Sequence, residues 1–229
     1  MLNKSNTIVA TNENIREIIL FEIKRLGDNA DLNHINVSNV TDLDDLFHQT
    51  DFNGDISKWN TSKITDMSNL FRDSPFNGNI SKWSTKNVKT MEGMFFNSRF
   101  DRDLSAWNVC SVQNMALMFT HSQFNGDISK WNVSNVKDMS HMFNYSQFNK
   151  DISTWNVAQV EDMFCIFSDS PFKQDISKWK FHPDCDPQLD MDLLRVVEYS
   201  HQINREKEKQ TLLSDINLKS LKTKKSISL

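Results

Sequence analysis

The stretch Asp51-Phe52-Asn53-Gly54-Asp55 is where the spacing of residues first suggests chemistry. It sets side-chain oxygens at alternate positions around a glycine, as the opening of a calcium loop does. The closing glutamate of such a loop is missing, because the twelfth position is Ser62. The Asn-Gly-Asp triplet also returns at Asn125–Asp127, so it reads as part of a recurring pattern rather than a metal site. The histidines, His34, His48, His121, His141, His182 and His201, are scattered. No two of them pair at the spacing a metal-binding helix uses, and each reads as a solvated side chain. Cys110, Cys165 and Cys185 are odd in number and irregularly spaced, which fits free thiols in a reducing compartment. No glycine-rich loop stands before a helix to cradle phosphate, and no serine sits in a nucleophile elbow. The expectation is a protein with no catalytic residue, no cofactor and no metal.

What must position any site is a repeat. The tryptophans Trp59, Trp83, Trp107, Trp131, Trp155 and Trp179 are each 24 residues apart. Phe52, Phe76, Phe100, Phe124, Phe148 and Phe172 keep the same interval, as do Phe47, Phe71, Phe95, Phe119, Phe143 and Phe167. Two further columns are Met67, Met91, Met115, Met139 and Met163, led by Leu43, and Ile56, Ile80, Leu104, Ile128, Ile152 and Ile176, led by Leu32. Such a unit cannot bury its apolar side alone; stacking aligns like residues into ladders and makes one continuous core. The alternation of the early half of the unit predicts a short strand near Asp127–Trp131. The i, i+3, i+4 spacing of Met139, Met142 and Phe143 predicts one helical turn near Met139–Asn144. Strands about 4.8 Å apart would give a rod roughly 25–30 Å long. The recurring Asp55 and Ser57 positions read as local turn or cap bonds rather than as a ladder of cation ligands.

The ends depart from the pattern as the ends of a repeat stack must. Asn12–Leu26 reads as an amphipathic helix with Ile15, Ile18, Ile19, Ile23 and Leu26 on one side and Gly27 as its stop. The first unit lacks its tryptophan, with Ile35 in that place. Beyond His182-Pro183-Asp184, the residues Leu189, Leu193, Val196 and Val197 predict a closing helix. The expected division is a helical cap at 1–30, a repeat array at 31–180, and a C-terminal helix with a basic tail at 181–229.

Asp55-Ile56-Ser57-Lys58-Trp59-Asn60 and Val136-Lys137-Asp138-Met139-Ser140-His141-Met142-Phe143 resemble the repeats of the BspA-like leucine-rich-repeat family. That family includes mycoplasma-type surface lipoproteins and a domain of unknown function. The resemblance covers Asp31–Trp179. It implies an α/β repeat fold, a right-handed leucine-rich-repeat-like solenoid of short parallel strands and one-turn helices with helical caps at both ends. It also implies roles in adhesion or protein–protein contact, and it supplies no catalytic residue. The chain departs from the surface members in showing no signal-peptide core or lipobox, which gives the expectation of a cytoplasmic or host-intracellular protein. A surface location is the alternative if the sequence begins further upstream.

In an array whose fixed columns build the core, partners are sought where the columns vary. Arg72, Phe96, Arg99, Arg102, His121, Tyr145 and Gln147 are the variable positions that carry arginine, aromatic or long polar side chains, the usual anchors of interfaces. Leu117, His141, Phe164 and Cys165 replace polar residues at a second set of positions, and Phe164 is expected to tuck against the closing helix. The expected function is a non-catalytic module that binds a protein, in one version a viral or effector-like protein acting on a host protein. A surface adhesin is the second reading, and a nucleic-acid binder using the aromatic columns is the third. The formal net charge of -4 disfavours that third reading, and no ligand pocket for a small molecule is legible. The lysines of Lys219–Lys225 read as a solvated end. The longest early apolar run, Ile18–Phe21, is far short of a membrane span.

Overall fold

Residues 24 positions apart in the sequence lie side by side in space. The structure is a computed structural model; it describes residues 7–185, 187 and 190–227, with side chains described as far as 214. The named elements are β1 (Ile8–Val9), α1 (Ile15–Leu26), β2 (Ile35–Asn36) and α2 (Met191–Ile227). β1 and β2 pair in parallel, Ile8 opposite Ile35 and Val9 opposite Asn36. From there the chain advances by single parallel bridges, Asp42 to Asp66, Asp66 to Thr90, Thr90 to Asn114, Asn114 to Asp138 and Asp138 to Asp162.

The core is built of aromatic ladders. The two phenylalanines of a unit stack on each other at 4.0–4.7 Å, as Phe71 on Phe76 at 4.1 Å and Phe167 on Phe172 at 4.0 Å. Each also stacks on its equivalent in the next unit, Phe95 on Phe119 at 5.6 Å and Phe124 on Phe148 at 6.5 Å. All of these rings are fully buried. The tryptophans are 3–6 % exposed and add a polar function that phenylalanine lacks. Each indole Nε1–H donates to the carbonyl 27 residues earlier: Trp59 to Leu32, Trp83 to Ile56, Trp107 to Ile80, Trp131 to Leu104, Trp155 to Ile128 and Trp179 to Ile152. Each of these carbonyls also accepts a backbone N–H, such as that of Trp107 on Leu104 O, so the bond serves the buried indole N–H, which must find an acceptor.

Polar columns support the stack. In every full unit an Asp or Asn oxygen accepts the amide N–H two residues on, as Asp55 does from Ser57 at 2.8 Å and Asn79 from Ser81 at 3.1 Å. The turn bond expected at these positions is thus present. A second column, unremarked in the sequence, runs through Ser74, Ser98, Ser122, Ser146 and Ser170. Each hydroxyl accepts the N–H of the phenylalanine two residues later. Asn53, Asn77, Asp101, Asn125 and Asn149 form a third, each Oδ1 accepting the N–H of the residue one unit ahead at 2.8–3.2 Å.

The predicted strand and helical turn are both corrected. Asp127–Trp131 pairs with nothing as a strand, and Met139–Asn144 is not helical. The segment expected to be helical carries the parallel ladder itself. The N–H groups of Met139, His141, Phe143 and Tyr145 donate to the carbonyls of Asp162, Phe164, Ile166 and Ser168 in the next unit at 2.8–2.9 Å. The N–H groups between them turn inward, Met142 to Met139, Asn144 to His141 and Ser146 to Phe143, at 3.1–3.2 Å. Consecutive β-turns therefore alternate with rungs, and the i, i+3, i+4 spacing that mimics a helix comes from the turns.

Those turns dictate a backbone requirement. The third residue of the first and last of these turns is left-handed: Asp45, Asn69, Gly93, Leu117, His141 and Cys165 in one column, with φ of 49–60°. Gln49, Asp73, Asn97, His121, Tyr145 and Asp169 form the other, with φ of 49–55°. Glycine, asparagine and aspartate accept this conformation at least cost, which explains their frequency here. Leu117, Tyr145 and Cys165 stand there against that preference.

The ends are closed by residues outside the repeat. At the start, Ile15 and Ile19 of α1 are buried, Ile18 and Ile23 are partly so, and Gly27 ends the helix at φ 89°, its N–H on Ile23 O. Leu26, expected on the inner side, is 44 % exposed; Glu22 is buried instead, bonded to Arg25 and to His34 Nε2 at 3.1 Å. The Arg25 bond outweighs burial and holds the Glu22 carboxyl below the usual range. His34 is therefore held by a partner rather than merely solvated. At the far end, Leu193 and Val196 of α2 enter the core and Ser200 Oγ accepts the N–H of Ile176 at 2.9 Å. Asp190 does two things at once. One carboxylate oxygen takes the N–H of Cys165, which in earlier units goes to the next unit, and the other caps α2 through Asp192 and Leu193 at 2.9–3.0 Å. Leu189, predicted to join the closing helix, lies outside the described residues, as do the side chains of Lys219–Lys225.

Candidate functional site

The turns leave one row of variable side chains at the surface, and four of the expected partner-binding residues meet in it. The guanidinium of Arg72 lies over the ring of Phe96, its central carbon 4.1 Å from the ring centroid. Phe96 meets His121 edge-on at 6.0 Å. His121 lies flat against Tyr145 at 4.7 Å with 4° between the planes. The Asp169 carboxylate stands next along the row and pushes the Tyr145 phenol above its ordinary range. Arg72, Phe96, His121, Tyr145 and Asp169 thus form a continuous surface ladder across five consecutive units. His121 and Tyr145 belong to the left-handed column, so their backbone direction is fixed by the rungs on either side.

The ladder has a flanking cleft of about 450 Å³, lined by Asp51, Asp73, Pro75, Arg99, His121 and Gln123 among others. Asp73 is engaged there: Arg72 Nε stands 3.6 Å away and His48 Nε2 3.5 Å. His48 also reaches Asp45 at 3.0 Å. Arg99 joins the site through this cleft, opposite His121.

Two expected residues are not brought in. Arg102 Nε donates to the carbonyl of Asn77 at 3.1 Å. Gln174, three units further along the same column, makes the equivalent bond to Asn149 O at 3.0 Å. Arg102 thus stands at a supporting position of the array and does not line the cleft. Gln147 is exposed, its backbone N–H on Ser122 O, but it neither joins the ladder nor lines the cleft.

The second set is partly corrected. Phe164 is 56 % exposed and does not tuck under α2; it meets His141 edge-on at 5.6 Å. Sequence reasoning missed His48, Asp73 and Asp169, which sit at the two ends of the ladder. A signal existed, since Asp73 and Asp169 share the column of His121 and Tyr145, but an aspartate in a turn attracts no notice on its own.

Among the described residues no group of three or more His, Cys, Asp or Glu side chains is placed to hold a metal ion. No helix among them is long and apolar enough to cross a membrane. A family model described as a Mycoplasma protein of unknown function, DUF285, matches twice, over residues 18–123 and 96–188. No curated protein and no solved structure gives a significant match.

Proposed function

Because the chain belongs to the DUF285 family of Mycoplasma proteins of unknown function, we propose its role from geometry: a non-catalytic module that binds another protein along the Arg72–Tyr145 edge. The observation that carries this is the ladder itself. Rings and a guanidinium that vary from unit to unit are gathered in one contiguous, solvent-facing row. Tyr145 is 52 % exposed although its left-handed position disfavours a bulky side chain, which supports a use at the surface. Interfaces draw most of their energy from such aromatic and arginine side chains.

The same geometry argues against base stacking. Single-stranded nucleic acid is held on open ring faces. The core ladders are buried, and His121 and Tyr145 cover each other's faces. What the edge offers is ring rims, a phenol, an imidazole and guanidinium groups. We read the underlying architecture as a right-handed solenoid of the leucine-rich-repeat kind, consistent with the BspA-like resemblance, with the edge as its variable surface.

The test is affinity capture from cells of the natural source or its host, comparing the unaltered protein with Phe96→Ala/His121→Ala/Tyr145→Ala. A stoichiometric protein retained by the first and lost by the second, at matched melting temperature, is the expected result. Equal retention by both would move the site away from this edge and refute the reading.

A further inference from the structure

We infer that the cleft beside the ladder receives a single carboxylate, an aspartate or glutamate side chain of the bound polypeptide, on the guanidinium of Arg99. This deepens the protein-binding reading and rests on it. Arg99 is exposed at the cleft, and among the described residues its guanidinium makes no hydrogen bond or ion pair. Arg72, by contrast, is committed to Phe96 and Asp73, and Arg102 to Asn77 O. These are all the arginines of the repeat array, so Arg99 alone is left without work inside the chain. A guanidinium stays charged at any physiological pH, and its planar fork matches a carboxylate with two parallel bonds. His121, lining the same cleft, adds a ring nitrogen and a ring rim that favour an oxygen acceptor.

The charge balance selects the kind of anion. Asp51 and Asp73 line the cleft with Arg99. A phosphodiester strand or another polyanion would set several negative charges against Asp51, with Asp73 already engaged by Arg72 and one uncommitted guanidinium to receive them. One side-chain carboxylate avoids that repulsion. Asp51 and Arg99 occupy the same column two units apart, 48 residues in sequence. That separation is about 9.5 Å at the spacing of parallel rungs. An extended peptide advances about 3.3 Å per residue, so a basic residue some three positions from the acid would meet Asp51. The fitting partner is an extended segment carrying one acid and one base at that spacing.

The experiment is selection of a displayed library of random dodecapeptides on the intact protein, with Arg99→Gln and Arg99→Glu selected in parallel. The expected result is enrichment of Asp or Glu at one position. The selected peptides should bind Arg99→Gln about tenfold more weakly, the loss of one charge-assisted bond. Selection on Arg99→Glu should return Lys or Arg at the same position. Arg99 is exposed and unbonded, and matched melting of the variants confirms that folding is unaltered. Peptides without an acidic preference, or held equally by Arg99→Gln, overturn the inference. If such peptides are still lost on Phe96→Ala/Tyr145→Ala, the edge stands and only the carboxylate pocket falls. If no peptide is selected, or those selected ignore both changes, both readings fall together.

Discussion

Replacing Trp131 tests the core reasoning at its most specific point. Trp131 is 3 % exposed, its ring packs 6.5 Å from Phe119, and its Nε1–H donates to Leu104 O at 3.0 Å. That carbonyl also accepts the backbone N–H of Trp107 at 3.0 Å. Trp131→Phe therefore leaves the acceptor with one of two donors, a loss of about 0.5–1.5 kcal/mol. The missing part of the ring adds roughly 1 kcal/mol for the small void. Trp131→Ala empties the position and should cost about 3–5 kcal/mol. For a chain of this size each kcal/mol lowers Tm by roughly 2–4 °C. The assay is guanidinium unfolding followed by the fluorescence of the remaining tryptophans, with the midpoint read at constant slope. If Trp131→Ala lies within about 1 kcal/mol of the unaltered protein, the tryptophan ladder is not part of the core. If Trp131→Phe costs as much as Trp131→Ala, ring volume is not what the position requires.

Three further outcomes are expected. Asp190→Ala should destabilise by about 1–3 kcal/mol, since it removes a helix cap and leaves the part-buried Cys165 N–H without its acceptor; Asp192→Ala, two residues on and partly exposed in an ion pair with Arg195, should cost under about 0.5 kcal/mol, and similar melting of the two would refute the double role. Leu117→Asn should stabilise by roughly 0.5–1 kcal/mol, because φ is 60° at that position and asparagine bears the left-handed conformation better than leucine; a lower Tm would show that the Leu117 side chain matters more than its backbone. Acid should weaken the fold: the Arg25 bond holds Glu22 low, and hydrogen bonds from the Ser57, Ser105 and Ser129 positions hold Asp55, Asp103 and Asp127 low. A carboxyl lowered in the folded state lends its stability above its unfolded pKa and loses it as pH falls through the folded value, so the loss should set in below about pH 4. Asp44, raised by burial and by Asp45 beside it, acts with the opposite sign, as a single group against four. Unchanged Tm between neutral pH and about pH 3 would contradict this balance.

How much was legible follows from what a repeat makes visible. Column positions are fixed by identity at a constant interval, so the buried Phe, Trp, Met and Ile ladders could be picked out with no structural knowledge. The α1 helix and its glycine stop were equally plain, because 3.6-residue periodicity and a left-handed terminus are local. The rung was misplaced for a physical reason. Met139, Met142 and Phe143 point inward at helical spacing because tight turns, not a helix, bring every third residue around. Single-residue patterns do not separate the two; the Asp, Asn and Gly recurring at positions such as Asn69, Gly93 and Asp73 did carry the turn signal. At the candidate site, choosing variable positions picked out Arg72, Phe96, Arg99, His121 and Tyr145, which lie along one edge and its cleft. It also gathered Arg102 and Gln147, because variation alone does not say which way a side chain faces. At the ends both helices were legible, but the role of Asp190 was not, because it depends on an amide 25 residues away that only the fold brings to it.

The way the array ends has a consequence for how such a protein changes over generations. Each unit hands its ladder donors to the next, and Asp190 receives one of the last, the N–H of Cys165. The closing residues meet the final unit alone and have no knowledge of how many precede it. Gain or loss of one whole unit by unequal recombination therefore leaves both ends intact and shifts the surface row by one rung. Unit number becomes a heritable dial on the length and order of that row, adjustable without redesigning a single core contact, whereas an insertion of any other size must loop out or break the rungs it interrupts.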